Sequence, residues 1–343
     1  MPGVISCLVV LALALLDPEV AERPEVQWAP WALGLLAFGI PHGALDHRVN
    51  RHPRRASSDL VFLAGYLAPM VGVLIVWCIA PIVALIGFLI LAAFHFGQGD
   101  LYWSRLFRKE ISLESNDRLV RTRQKVDWQS ALLLLVRGLV PVGLPVLVFA
   151  DEFAVAADLL AGRLFRDTAR WTLPEPVRLG ALIGVALLTL VHFATLSREA
   201  WLQPSHRSIA LSEAAGSALL VGLFSVVPPV LAMGVYFNTW HSVRHVVRLL
   251  PVVEPTREFA LRGEWPTALV CFHRATLPTT LTALAMMGTL WWFLRAQTGA
   301  LADFGLAALV MVSALTLPHV LVVLQMDRSQ EEKGLPKVWE VRR

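Results

Sequence analysis

The sequence predicts an all-α polytopic bundle of about ten transmembrane helices with both termini cytoplasmic, forming a single integral membrane domain over residues 1–343. Three observations predict it. Hydrophobic residues make up 56% of the chain and charged residues 16%, and the mean hydropathy is +0.60, a balance that soluble folds do not carry. Apolar runs of about 20 residues recur from end to end, which excludes a soluble domain on one anchor. Proline-marked joints at Ala80-Pro81 and Pro228-Pro229 are too tight to admit a soluble insertion.

The first run, Val4 to Leu16, has the size of a signal peptide's apolar region, but no basic segment precedes it and acidic residues follow. It is taken as a short first span. Further spans are expected near 27–44, 60–80, 81–97, 130–150, 178–196, 208–227, 229–250, 276–296 and 304–325. Basic residues retained on the cytoplasmic side set the orientation. The acidic loop with Asp17, Glu19, Glu22 and Glu25 faces out. Arg48, Arg51, Arg54 and Arg55, and a charged loop over 98–129 bearing Arg105, Arg108, Lys109, Arg118, Arg121, Arg123 and Lys125, face in, as does a polar tail over 326–343. The segment with Arg163, Arg166 and Arg170 falls on the opposite side. The net charge of +4 and pI near 9.2 reside in these loops, so topology accounts for them and no nucleic-acid partner is implied. Cys7, Cys78 and Cys271 are far apart and suggest neither a disulfide framework nor a thiolate site.

Ionisable side chains in the hydrocarbon zone are costly and mark functional cavities. In this topology the even-numbered spans run inward, and histidines gather in their inner halves: His42, His95, His192, His241 with His245, and His319. The odd-numbered spans hold none, so a single layer of imidazoles is expected inside the bundle. His241 and His245 are four apart, which on an α-helix places both rings on one face where they can grip one ion. Neutral imidazole suits iron, zinc, copper and nickel. The bland alternative is a histidine bonded to a neighbouring carbonyl.

Pro41-His42-Gly43 and His95-Phe96-Gly97 each pair a histidine with a small residue that admits another backbone, and each has a carboxylate close by, Asp46 and Asp100. Those carboxylates suit the far N–H of a ligating imidazole, or a direct ligand role. Asp46 could equally pair with Arg48 or Arg51. Arg244, inside the His241–His245 run, either pairs with a carboxylate near the site or snorkels outward with Arg248. Arg137 and Glu213 are further intramembrane charges, for which a mutual ion pair is the plain explanation. Trp240, Phe94, Phe96, Tyr236 and Phe237 flank the histidines; such aromatics usually pack, but a cleft for a flat apolar ligand is lined the same way.

Taken in order, Pro41-His42-Gly43-Ala44-Leu45-Asp46-His47, His95-Phe96-Gly97 with Asp100, Trp240-His241-Ser242-Val243-Arg244-His245 and Leu317-Pro318-His319 resemble the motifs of the bacterial Brp/Blh family of β-carotene 15,15′-dioxygenases, from about residue 30 to 325. The resemblance implies a multi-pass inner-membrane enzyme that splits the central double bond of β-carotene with O2 into two molecules of all-trans-retinal, with a rhodopsin as a candidate consumer of the product. It implies Fe(2+) held by His42, His95, His241 and His245. His319 lies in a family motif without an assigned role, and His192, His47, His52, His206 and His273 match no ligand position. Phe94, Phe96 and Trp240 become the expected wall of an apolar tunnel entered from the bilayer. The long charged loop after Leu101 and the weak first span say nothing of the substrate, so another carotenoid or apocarotenoid stays open.

Other classes fit less well. A histidine-relay transporter using Arg137 and Glu213 predicts internal repeats, and the two halves show no clear repeat. A bis-histidine haem needs opposed axial ligands, which a pair on one face does not supply. Membrane desaturases and hydroxylases carry several tight histidine boxes, and this chain has one such pair.

Overall fold

The computed structural model describes residues 2–49, 57–114, 128–165, 173–294 and 300–333. Among them the chain is helical throughout: α1 Pro2–Leu16, α2 Pro18–Ala21, α3 Pro24–Gly34, α4 Asp46–Val49, α5 Ser57–Ile79, α6 Pro81–Glu114, α7 Trp128–Val148, α8 Ala150–Phe165, α9 Glu175–Leu202, α10 Arg207–Val226, α11 Pro229–Val235, α12 Val243–Leu249, α13 Arg257–Leu261, α14 Trp265–Leu294 and α15 Ala300–Lys333. Both proline joints break the helix where expected. α5 stops at Ile79 and α6 starts at Pro81, while α10 stops at Val226 and α11 starts at Pro229.

The expected count of about ten spans, with both termini cytoplasmic, is not confirmed. Six helices among the described residues are long and apolar enough to cross a membrane, namely Leu60–Ile79, Pro81–Arg108, Trp128–Val148, Glu175–Leu202, Pro204–Val226 and Phe304–Gln330. Pro2–Leu16 is apolar but, at 15 residues, rises only about 22 Å, short of a bilayer core of about 30 Å. The regions expected as spans over 27–44 and 229–250 are interrupted. After α3 the chain passes through a π-helical turn, Leu35–Gly39, and a 3-10 turn, Pro41–Gly43; after α11 it passes through a π-helical stretch, Tyr236–Ser242. These interruptions carry His42 and His241. Irregular turns of this kind recur at functional sites because they re-aim side chains without ending the helix. Two boundaries also move: α6 runs to Glu114 and α15 to Lys333, so the charged region after 98 and the tail after 326 begin as helix. A helix whose face is already packed need not stop where its apolar run stops. Arg51, Arg54, Arg55, Arg118, Arg121, Arg123, Lys125, Arg166, Arg170 and His52 lie outside the described residues.

The chain divides into two compact units. Unit 1 comprises 1–31, 89–158 and 169–241. In it α7, α9 and α10 pack on one another and α1 lies along α10 and α11. α6 crosses α7 closely. A methyl at Gly97 would collide with the Leu134 carbonyl oxygen, and one at Gly138 with that of Ala93, so each glycine admits the other helix's backbone. Gly97→Ala and Gly138→Ala are each expected to destabilise the solubilised protein by about 1–3 kcal/mol, seen as a lower thermal midpoint. Gly143→Ala on α7, where nothing lies within 4 Å of the added carbon, serves as the neutral control.

Unit 2 comprises 32–88, 159–168 and 242–343. α15 packs on α5 and α14, and the 3-10 turn Pro41–Gly43 on α12 and α14. A buried cluster of Leu45, Val246, Leu249, Leu250, Phe272, Val323 and Met326 forms its core. Trp77 Nε1 donates to Ser313 Oγ at 2.6 Å, tying α5 to α15 through a bond that the hydrocarbon surroundings favour.

Candidate metal centre

In unit 1, α6 supplies His95 and the π-helical stretch supplies His241, both buried, with ring centroids 4.8 Å apart and planes at 73°. Phe96 meets the His241 ring edge-on at 4.8 Å and Phe237 stacks on it at 6.0 Å. Gln98 Oε1 lies 3.5 Å from His95 Nδ1. The π-helical stretch is stabilised by its own side chains: Asn238 Nδ2 donates to Gly234 O at 2.8 Å and to Pro30 O at 3.1 Å, and Thr239 Oγ1 to Val235 O at 2.7 Å. Those two i−4 carbonyls are the ones that α-helical N–H groups would otherwise serve.

Asp100 does not sit as a sequence neighbour of His95 suggests. It accepts from Trp240 Nε1 at 3.2 Å and faces Arg137 Nη1 at 3.3 Å, while Arg137 Nη2 donates to the Glu213 backbone oxygen at 3.0 Å. The expected Arg137–Glu213 ion pair is thus exchanged, since the Glu213 carboxylate pairs with Arg108, which also holds Glu199. Trp240 and Phe96 are buried beside the histidines, whereas Phe94 is exposed. His192 takes the bland role, with Nε2 at 3.0 Å from Ser217 Oγ.

In unit 2, His42 on the 3-10 turn, His245 on α12 and His319 on α15 converge, all buried. Ring centroids are 4.9 Å apart for His42–His319, 5.0 Å for His245–His319 and 5.6 Å for His42–His245. His42 Nδ1 donates to the Gly39 carbonyl and lies 3.5 Å from Ser242 Oγ. His319 Nδ1 donates to Asp46 Oδ2 at 2.8 Å, and the Tyr66 hydroxyl donates to the same oxygen at 3.3 Å. A proton fixed on Nδ1 leaves Nε2 as the basic nitrogen. Among the described residues Asp46 therefore serves His319 and neither His42 nor Arg48, which turns instead to His47 and the Glu254 carbonyl, while Arg51 lies outside them. Arg248, expected to snorkel, is buried and paired with Asp327, and Arg244 is half-buried. Tyr66, Gln98 and Ser242 escaped the sequence reading; only a tyrosine hydroxyl within an apolar run could have flagged Tyr66.

The donor set fits a transition metal. Ligand atoms of Asp46, His245 and His319 all lie within 4.8 Å of one another, and Asp46 Oδ1 is buried without a hydrogen-bond partner among the described residues. Imidazoles with carboxylate suit iron or zinc and are a poor match to magnesium or calcium.

The family model described as β-carotene 15,15′-dioxygenase matches residues 33–327. The probable β-carotene 15,15′-dioxygenase Blh of Halobacterium salinarum is 32% identical over 316 residues, covering 91% of this chain and 87% of that protein. The probable β-carotene 15,15′-dioxygenase Brp of Halobacterium salinarum is 27% identical over 350 residues, covering 96% and 93%. The β-carotene 15,15′-dioxygenase of an uncultured marine bacterium is 23% identical over 306 residues, covering 87% and 93%. No solved structure matches the chain.

Proposed function

The chain belongs to the β-carotene 15,15′-dioxygenase family and is a carotenoid-cleaving dioxygenase, and from that membership we propose that it is an iron-dependent enzyme of the cell inner membrane that splits the central double bond of β-carotene with O2. The observation that carries the reading is the family match over 33–327, within which His42, His95, His241, His245 and His319 all lie buried. In the reaction the central C=C and the O–O bond break and two C=O bonds form. Both oxygen atoms end in two molecules of all-trans-retinal, and no proton is consumed.

Iron is proposed to be held by His42, His95, His241 and His245, where it would supply the activation of O2 that no side chain provides. The chain's own contribution is positional. The Gly39 carbonyl fixes the His42 tautomer, and the Asp100–Trp240 bond fixes the π-helical stretch that carries His241. Phe96, Phe237 and Trp240 give His241 an apolar neighbourhood that excludes water. Phe96 and Trp240 are the proposed tunnel residues; the exposure of Phe94 suits it to the outer surface. A C40 polyene partitions into lipid, so entry between helices follows, and the retinal released into the bilayer is available to a rhodopsin.

Expression in a bacterium that accumulates β-carotene is expected to bleach the orange pigment and yield retinal, with neither change in a His95→Ala control. Persistence of β-carotene beside abundant, iron-loaded protein would exclude it as substrate and redirect the search to other carotenoids.

A further inference from the structure

Four ligands follow from the family motifs, and the two of them in unit 2, His42 and His245, share their buried cluster with a third imidazole, His319. We infer that His319 is a further ligand of the metal, held in its coordinating orientation by a chain of hydrogen bonds from Tyr66 through Asp46. The inference rests on the metal reading above and deepens it.

His319 is placed by three independent features of unit 2. Asp46 Oδ2 takes the Nδ1 proton at 2.8 Å, which directs the basic Nε2 away from the carboxylate. Gly43 lies against the other side of the same edge. A methyl there would stand 3.3 Å from His319 Nδ1, tighter than ordinary contact, so the glycine after His42 leaves room for the His319 ring. The third is the neighbourhood itself: the His319 centroid is 4.9 Å from that of His42 and 5.0 Å from that of His245, with interplanar angles of 87° and 74°. A purely structural Asp–His bridge between α4 and α15 needs one imidazole and one carboxylate. It does not call for two more buried imidazoles edge-on to the first, each costing the desolvation of a polar ring.

Asp46 and Tyr66 are then positioning residues. The Tyr66 hydroxyl, 3.3 Å from Asp46 Oδ2, supports the carboxylate from α5, and Oδ2 accepts both bonds. A hydroxyl within an apolar span has in this way a partner that justifies its place.

The test uses the purified full-length protein, anaerobic Fe(II) titration for affinity and the Co(II) ligand-field spectrum for coordination. His319→Ala is expected to weaken binding by more than the roughly 10–100-fold that loss of an outer partner costs, and added imidazole to restore both affinity and spectrum. Pyrrole is the discriminating additive. It fills the same cavity and can donate to Asp46, but it has no lone pair for a metal, so it should restore neither. Unchanged affinity in His319→Ala, or equal rescue by pyrrole, would overturn the inference and leave the four-histidine reading standing. A wild-type protein that binds neither metal would instead remove the metal reading itself. If His319→Ala does not fold, Asp46→Asn keeps the ring and its volume; it is expected to weaken Fe(II) binding about 10–100-fold, and unchanged affinity would refute the inference.

Discussion

Alanine at His241 or at His245 is expected to abolish retinal formation and, with iron held as proposed, to lower the bound iron, while the chain still inserts into the membrane. Each side chain is more than nine-tenths buried and sits within imidazole contact in its own unit, His241 at 4.8 Å from His95 and His245 at 5.0 Å from His319. Truncation therefore removes a nitrogen donor from apolar surroundings where water is a poor substitute. The loss of turnover should exceed the roughly 10–100-fold expected from losing an outer-sphere partner. His192→Ala is the matched control. It also deletes a buried imidazole, but one bonded to Ser217, so it should cost about 1–3 kcal/mol of stability and leave iron content intact. Iron quantified per folded protein separates the two cases. Full iron loading and normal turnover in His241→Ala or His245→Ala would remove that residue from the ligand set.

How much of the fold could be read in advance depended on what hydropathy measures. Long uniform runs such as Leu60–Ile79 and Trp128–Val148 announced themselves, and the double-proline joint at 228–229 needs only proline's lack of a donor to be predicted. The interrupted segments were invisible because a π-helical turn alters hydrogen-bond register and not composition. Leu35–Gly39 is as apolar as any helix, and only its Ile40 N to Leu35 O bond of 2.9 Å distinguishes it. The run over 229–250 hid the same change, compensated by Asn238 and Thr239, whose side chains serve carbonyls four residues back. α8 was missed for the opposite reason, since Asp151, Glu152 and Asp158 break the apolar run that a span search looks for.

The site divides similarly. Histidines stood out because an ionisable ring in an apolar run is costly, and that argument needs no tertiary information. Their partners did need it. Asp46 was legible as a carboxylate beside His42, yet it serves His319, 273 residues away. Local spacing proposes the nearest acceptor; packing selects the one that faces it. The same substitution of partners separates the expected Arg137–Glu213 pair from the Arg137–Asp100 pair that forms, because Glu213 is claimed by Arg108.

That exchanged pair gives the second large expected effect. Arg137 and Asp100 have side chains only 6% and 8% exposed and lie 3.3 Å apart, with the Arg137 guanidinium carbon 5.8 Å from the Trp240 ring. Arg137→Met removes the cation and leaves a carboxylate in a low-dielectric interior, so a loss of about 3–5 kcal/mol is expected. Trp240 adjoins His241, so displacement of Asp100 should also carry this proposed ligand with it and depress turnover beyond what the remaining folded fraction explains. Asp100→Asn in the same chain removes the orphaned charge while its amide oxygen still accepts from Trp240 Nε1. The double variant Arg137→Met/Asp100→Asn is therefore expected to be more stable than Arg137→Met alone, a coupling that a thermal-unfolding cycle in detergent measures directly. Additive losses would mean that the two side chains act independently, and the pair would then have no part in holding Trp240 and His241 in place.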